Sequence, residues 1–210
     1  MESAAEPLGG GESHWDAAYL DRGVTGVSWF QPAATVSLDL IRRLGIPRHA
    51  AIVDVGGGAS LLADALVADG FTDVSVLDIS GVALESLRHR TSPYPAVSLI
   101  HADVLTWTPE RRFSLWHDRA VFHFLIDETA RRTYVDKLHG ALGPGGWVII
   151  ATFAPDGPEY CSGLPVARFS GVDLAETLGI GFEVVESMQE DHVTPAGVTQ
   201  PFTWIAARRH

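Results

Sequence analysis

The residues best placed to do chemistry sit at one abrupt junction. In IVDVGGGAS (52–60) an apolar run ends on Asp54 and passes straight into Gly56, Gly57 and Gly58. Glycine admits positive φ and lets another group touch the backbone. A second carboxylate, Asp78, closes the run VSVLD 20 residues after Gly58. That spacing suits an acid accepting hydrogen bonds from both hydroxyls of an adenosine ribose. A dinucleotide loop, G-x-G-x-x-G, counted from Gly56 requires glycine where Leu61 stands, and a phosphate-cradling G-K-S/T has no lysine here. The implied ligand is nucleoside-like, with little support for a pyrophosphate.

A second group of reactive types lies in WHDRAVFHF. His117 and Asp118 end an apolar run, so one of the pair should face a pocket mouth. Arg119 follows, and His123 lies one helical turn further on. A histidine that titrates near neutral pH can serve as a base. Arginine can clamp a substrate carboxylate. The plainer alternative pairs Arg119 with a local acid such as Asp127 and leaves His123 packed. A third region, 154–170 (APDGPEYCSGLPVARFS), is long for a connection within one domain, which marks it as functional or mobile. Tyr160, Cys161 and Arg168 there are candidates to line a substrate. Cys161 is the only cysteine, which excludes an internal disulfide and any cysteine-rich metal spacing; no metal is expected.

These residues need a scaffold that brings strand ends together, and the hydrophobic pattern supplies one. Short apolar runs at AAIVDV, VSVLD, AVSLIHAD, FSLWHD and LGPGGWVIIATF alternate with helical patterns. Helices are predicted over about 32–44, from Ser60 as cap to Gly70, over about 82–89, through ETARRTYVDKLHGAL, and over 171–178 with Ser170 as cap. FEVVESMQEDHV and TQPFTWIAARR read as a closing hairpin. The alternation implies an α/β, Rossmann-like, doubly wound sheet of seven strands, mostly parallel, with an antiparallel C-terminal hairpin. One domain is expected over 13–210. It divides into N-terminal helices or lid (13–48), a cofactor-binding core (50–153), a substrate loop (154–170) and a C-terminal helix and hairpin (171–210). Residues 1–12 are expected to be a mobile tail.

Composition narrows the partners. The formal net charge is -11 and no basic cluster is present, which argues against nucleic acid and anionic membrane surfaces. No apolar run reaches the roughly 20 residues of a spanning helix, and the leading residues lack a secretory pattern. The expected location is the cytoplasm. Oligomeric state is left open.

The ordered motifs resemble those of the class I S-adenosylmethionine-dependent methyltransferases. Asp54, Gly56 and Gly58 match the family's D-x-G-x-G-x-G, with Ser60 in place of its last glycine, and LGPGG resembles L-x-P-G-G before strand five. The resemblance spans about 51–153. It implies S-adenosylmethionine as cofactor, bound by Asp54, the three glycines, Asp78 with Ile79 at the ribose, Asp103 with Val104 at the adenine, and Asp118. Asp118, His117 and His123 are then the catalytic candidates, with Arg119 on the substrate. The aromatic segments HWDAAYL and VSWFQP resemble the leader of small-molecule members. Trp15 and Trp29 suit a sulfonium through cation–π attraction, and Phe30 would meet the substrate. A satellite core is an equal and compatible reading of these rings.

Methyl transfer from a sulfonium needs alignment and exclusion of water, and a base only where the nucleophile arrives protonated. The expected activity is therefore methyl transfer to a small-molecule sulfur, oxygen or nitrogen acceptor. The alternatives are a protein-lysine methyltransferase, for which an acidic surface is suited, and a catalytically silent cofactor-binding partner subunit.

Overall fold

A computed structural model describes residues 8–210. Residues 1–7, most of the expected tail, lie outside the described residues. From residue 8 onward the tail expectation is corrected: a 3-10 turn, Leu8–Gly10, leads directly into helix α1, Gly11–Arg22. Helix α2, Thr35–Arg43, comes next, with Ser37, Leu40 and Ile41 turned to the interior.

The core is then laid down as alternating strands and helices. Strand β1 is Ile52–Val55, helix α3 Leu62–Ala68, strand β2 Val74–Asp78 and helix α4 Gly81–Thr91. Strand β3 is Val97–His101, strand β4 Phe113–Arg119, helix α5 Glu128–Ala141 and strand β5 Leu142–Phe153. The connection after β5 carries two short strands, β6 Tyr160–Cys161 and β7 Leu164–Pro165, which pair with each other. Helix α6, Gly171–Leu178, and strands β8, Phe182–Val193, and β9, Thr199–Arg209, complete the chain.

The main sheet has seven strands in the order β3-β2-β1-β4-β5-β9-β8. The β1, β2, β3, β4 and β5 pairings are parallel; β9 is antiparallel to β5 and to β8. This is the expected doubly wound sheet with its closing hairpin. Side chains alternate across it, as the pleat requires. Ile149, Ala151 and Phe153 of β5 pack with α2, α3 and α4 on one face. Val148 and Ile150 pack with Tyr134, Leu138, Leu174 and Leu178 of α5 and α6 on the other.

The chain order reverses beside β1, whose neighbours are β2 and β4. There the connections leave in opposite directions and open a crevice at the carboxyl ends of the strands. Among the described residues no helix is long and apolar enough to cross a membrane.

Local sequence accounts for most boundaries. Ser170 and Asp173 form a reciprocal capping box at α6, satisfying two helix-end N–H groups at once. Asp127 caps α5 through Ala130 N–H and Ser80 caps α4 through Ala83 N–H. Ser60 does not sit at the cap of α3; Leu61 does, and the Ser60 hydroxyl accepts the Leu62 N–H at 3.3 Å.

Candidate functional site

The crevice is built from three strand ends. Gly56 follows β1, Asp78 ends β2 with Ile79 beyond it, and Asp103 and Val104 follow β3; all line one cleft with Leu77, Ala102 and Val55. Gly56 sits at φ +65° and Gly58 at φ +48°, a region that L side chains rarely occupy. Here the glycines are required by the chain itself. A Cβ on Gly56 would lie 1.9 Å from Val121 Cγ2, and one on Gly58 2.7 Å from the Tyr19 hydroxyl. Gly57 packs on Asp54, whose Oδ2 a Cβ would approach to 2.5 Å. Arg90 of α4 holds the exit of the loop, donating to the carbonyls of Ala59 and Ser60 at 3.1 and 2.6 Å.

Asp78 is the acid best placed for a ligand. Its Oδ1 accepts the Ser80 N–H at 2.7 Å, and its Oδ2 lies beside Gly58. Burial pushes its carboxyl up to about 7, against the Ser80 hydrogen bond, and the Asp54 charge adds to the rise. Asp103 Oδ1 accepts the Leu105 N–H at 2.8 Å and fixes the turn behind the cleft.

The N-terminal aromatics close the cleft. Trp15 and Trp29 both line it, edge to face with ring centroids 5.6 Å apart, and Trp15 meets Phe124 at 4.9 Å. Tyr19, which the sequence did not single out, lines the same cleft and accepts the Trp29 indole N–H at 3.1 Å. Asp16 ties α1 to the core by accepting the Ser80 hydroxyl at 2.7 Å and the Val82 N–H at 3.1 Å. With this cover in place the cleft holds about 90 Å³ of accessible space, below the ~300 Å³ at the lower end of small-molecule sites. A nucleoside-sized ligand is larger than that space. The lid and satellite-core readings describe the same residues: the rings are packed, and they are packed over the cleft.

The WHDRAVFHF candidates separate. Asp118 is fully buried and lines no cleft; it accepts the Tyr134 hydroxyl at 2.6 Å and the Val121 N–H at 3.0 Å. Burial raises its carboxyl to about 6, held back by those donors. It anchors the turn after β4, so its expected catalytic and cofactor contacts are corrected to a positioning one. His117 points below the sheet end. Its Nδ1 lies 2.7 Å from Asp54 Oδ1 and its Nε2 3.0 Å from Ser37 Oγ. Both His117 and Asp54 line a smaller cleft beneath the glycine loop, together with Phe30 and Gln31. His123 is wholly buried between Phe124 and Phe153 and lines neither cleft. Burial, reinforced by Arg119, drops its imidazole to about 3, so its proposed role as base is corrected to packing.

Arg119 behaves differently. It lines both clefts, with Nη1 donating to the Trp29 carbonyl at 3.1 Å and its guanidinium carbon 4.7 Å from the Phe202 ring centre. It makes no ion pair with Asp127, which caps α5 instead. Burial lowers its guanidinium to about 10, still charged at neutral pH. The next residue, Ala120, has φ +71°. A non-glycine residue in that region costs on the order of 1–3 kcal/mol and clusters at functional sites. It aims the chain between Arg119 and Val121, both on the cleft.

The 154–170 connection contributes one residue only. Cys161 lines the main cleft, and burial pushes its thiol up to about 12. Tyr160 is 63 % exposed and lines neither cleft. Arg168 is tied to the Gly157 carbonyl and to Glu159, each at 3.2 Å, and it too lines neither cleft. Their expected substrate contacts are corrected: they brace the connection. Among the described residues no group of three His, Cys, Asp or Glu side chains is placed to hold a metal.

Comparison with known proteins agrees with this geometry. Residues 52–146 match a family described as a methyltransferase domain. The chain is 36 % identical over 128 residues to trans-aconitate 2-methyltransferase of Methylobacterium radiotolerans, covering 60 % of this chain and 44 % of that protein. The chain thus aligns with less than half of that relative's length. It is 24 % identical to EEF1A lysine methyltransferase 2 of Danio rerio, over 90 % of this chain and 82 % of that protein. An S-adenosylmethionine-dependent methyltransferase from Anabaena variabilis superposes with a TM-score of 0.72 at 18 % identity, covering 95 % of each chain.

The residues present fit an adenosyl group: a buried acid at the end of β2, an apolar slot from Leu77, Ala102 and Val104, and a bare backbone at Gly56. On these grounds residues 52–146 are similar to a methyltransferase domain, carried on a fold shared with an S-adenosylmethionine-dependent methyltransferase of known structure.

Proposed function

We propose that this protein transfers a methyl group from S-adenosylmethionine to a small-molecule acceptor. The observation that carries the reading is the cleft itself. Its floor is the glycine loop with Asp78, and its roof is Trp15 and Trp29, so the acceptor must be small enough to share an aromatic-covered cavity. The cofactor supplies a methyl group on a sulfonium, and transfer to a lone pair leaves the neutral thioether. Asp78 would bind the ribose hydroxyls, Asp103 and Val104 the adenine end, and Trp15 and Trp29 would shield the sulfonium from water. Exclusion of water and fixed alignment are what this reaction needs from a protein.

The main cleft carries no histidine among its lining residues. With His123 packed away and His117 bound to Asp54, the described residues offer no neutral base beside the acceptor. An acceptor whose nucleophile arrives without its proton suits that lining. The relative named for trans-aconitate, an organic acid, supports a small anionic acceptor.

The relative named for lysine methylation favours a second reading, since it aligns along 90 % of this chain. The charge of Arg119 in the cleft opposes it, because a lysine side chain would approach a like charge. Mass spectrometry of methyl transfer to small acids, thiols and phenols, against basic polypeptides, tests the proposal. Methylation of polypeptide alone would replace it with the second reading. Cofactor binding without turnover on any acceptor would favour a silent partner subunit.

A further inference from the structure

Arg119 is the single arginine or lysine on the lining of either the main or the lower cleft among the described residues. Only Nη1 has a protein partner, the Trp29 carbonyl. Nε and Nη2 are sealed from solvent with no hydrogen-bond partner at all. Two unpaired N–H groups on a buried cation are costly to leave unsatisfied. They are also the parallel pair of donors that a carboxylate takes in bidentate fashion, a geometry lysine cannot offer.

The surrounding acids are already engaged. Glu190, whose charge supports that of Arg119, accepts the Gln31 amide through one oxygen and the Trp204 indole through the other. The guanidinium is framed by Trp29, by Phe202 of β9 and by Cys161 of the connection after β5. None of these belongs to β2 or β3, whose ends carry Asp78 and Asp103. The unpaired edge is thus framed by elements other than those that carry Asp78 and Asp103.

We infer that Nε and Nη2 of Arg119 form a carboxylate-binding subsite, and that the acceptor is a small organic acid held there by two parallel hydrogen bonds. Asp118 fixes the turn that presents the guanidinium, through the N–H groups of Val121 and Phe122. Trp29 supplies both the cover and the third contact, so closing the roof and orienting the arginine are one event. This assignment rests on the methyltransferase reading above, and its test keeps the two apart.

The test is calorimetry on protein saturated with S-adenosylhomocysteine, titrated with acetate, succinate, propane-1,2,3-tricarboxylate and the trimethyl ester of that tricarboxylate. At least one free carboxylate should bind saturably and the ester should not. Arg119→Gln and Arg119→Lys should each weaken that binding by about ten-fold or more, the scale of a lost bidentate charge-assisted pair. Both variants should keep their affinity for S-adenosylhomocysteine, which also shows that they fold.

Failure of every carboxylate to bind the loaded protein, or equal binding by both variants, overturns the subsite. Loss of S-adenosylhomocysteine affinity in the variants, with 5′-methylthioadenosine unaffected, moves the arginine to the cofactor's own carboxylate and overturns the acceptor assignment. Failure of the unmutated protein to bind S-adenosylhomocysteine is a separate result: it removes the methyltransferase reading and the subsite built on it.

Discussion

His117 Nδ1 and Asp54 Oδ1 meet at 2.7 Å directly beneath the glycine loop, with both side chains only 3 % exposed. Asp54 Oδ2 has no partner, and Gly57 leaves room for it. The pair is a strut for the loop, with Ser37 of α2 holding the far side of the ring. His117→Ala would strand a buried carboxylate, which costs about 3–5 kcal/mol. Urea denaturation should show a loss of that size. A stable variant that has lost only turnover would instead make His117 a participant in the chemistry.

His123 makes the opposite prediction. Its Nε2 is buried without a partner and its Nδ1 accepts the Phe153 N–H at a long 3.4 Å. Replacing it with leucine removes an unsatisfied polar atom from an aromatic core. His123→Leu should leave the thermal midpoint unchanged or higher, and kcat within about two-fold, since a residue off the site contributes no transition-state contact. A fall of a hundred-fold in kcat with the fold intact would return the histidine to the reaction.

Asp78 makes cofactor affinity depend on pH. Its folded carboxyl, pushed up to about 7 by burial, is substantially protonated below that pH. A ribose diol donates to the ionised form, so binding should release a proton. Affinity for S-adenosylhomocysteine should rise between pH 5.5 and 8 and level off above, by about ten-fold per pH unit on the steep limb at most. Calorimetry in buffers of differing ionisation enthalpy would count the proton, and Asp78→Asn should abolish the slope. The apo protein should respond in the opposite sense. A carboxyl whose folded value is raised favours the folded state below its unfolded value near 4 and loses that contribution as pH rises through about 7.

The cover should be limiting for entry. Asp16 pins α1 to the start of α4 through Ser80 and Val82. Asp16→Ala removes those contacts, worth about 1–3 kcal/mol for a charged acceptor. Stopped-flow tryptophan fluorescence should report faster association of S-adenosylhomocysteine, since Trp15 and Trp29 line the cleft. An unchanged association rate would mean that the ligand enters by another path.

Much of this was legible in the chain itself. The apolar runs AAIVDV, VSVLD, AVSLIHAD, FSLWHD and LGPGGWVIIATF match strands 52–55, 74–78, 97–101, 113–119 and 142–153, and their alternation with helices fixed where β1 must sit. The glycine loop and Asp78 followed, because strand ends and positive φ leave local marks. Side-chain direction after β4 did not. Sequence spacing puts His117, Asp118 and Arg119 side by side, whereas the pleat sends alternate residues to opposite faces and the Ala120 turn at φ +71° breaks the register. Tyr19 and Asp16 were missed because their partners, Trp29 and Ser80, lie 10 and 64 residues away. Tyr160 and Arg168 looked like site residues because the connection is long; the β6–β7 pair consumes that length in structure of its own.

Methyl transfer here depends on the adenosyl cofactor and its acid, and one titration reaches both. Calorimetry with S-adenosylhomocysteine and with NAD, on the unmutated protein and on Asp78→Ala, should show micromolar binding of the first compound only. In the variant, binding should weaken by about ten-fold or more, as the charge-assisted bonds to the ribose are lost. Binding of NAD alone, of neither compound, or of S-adenosylhomocysteine with equal strength to the variant would contradict it.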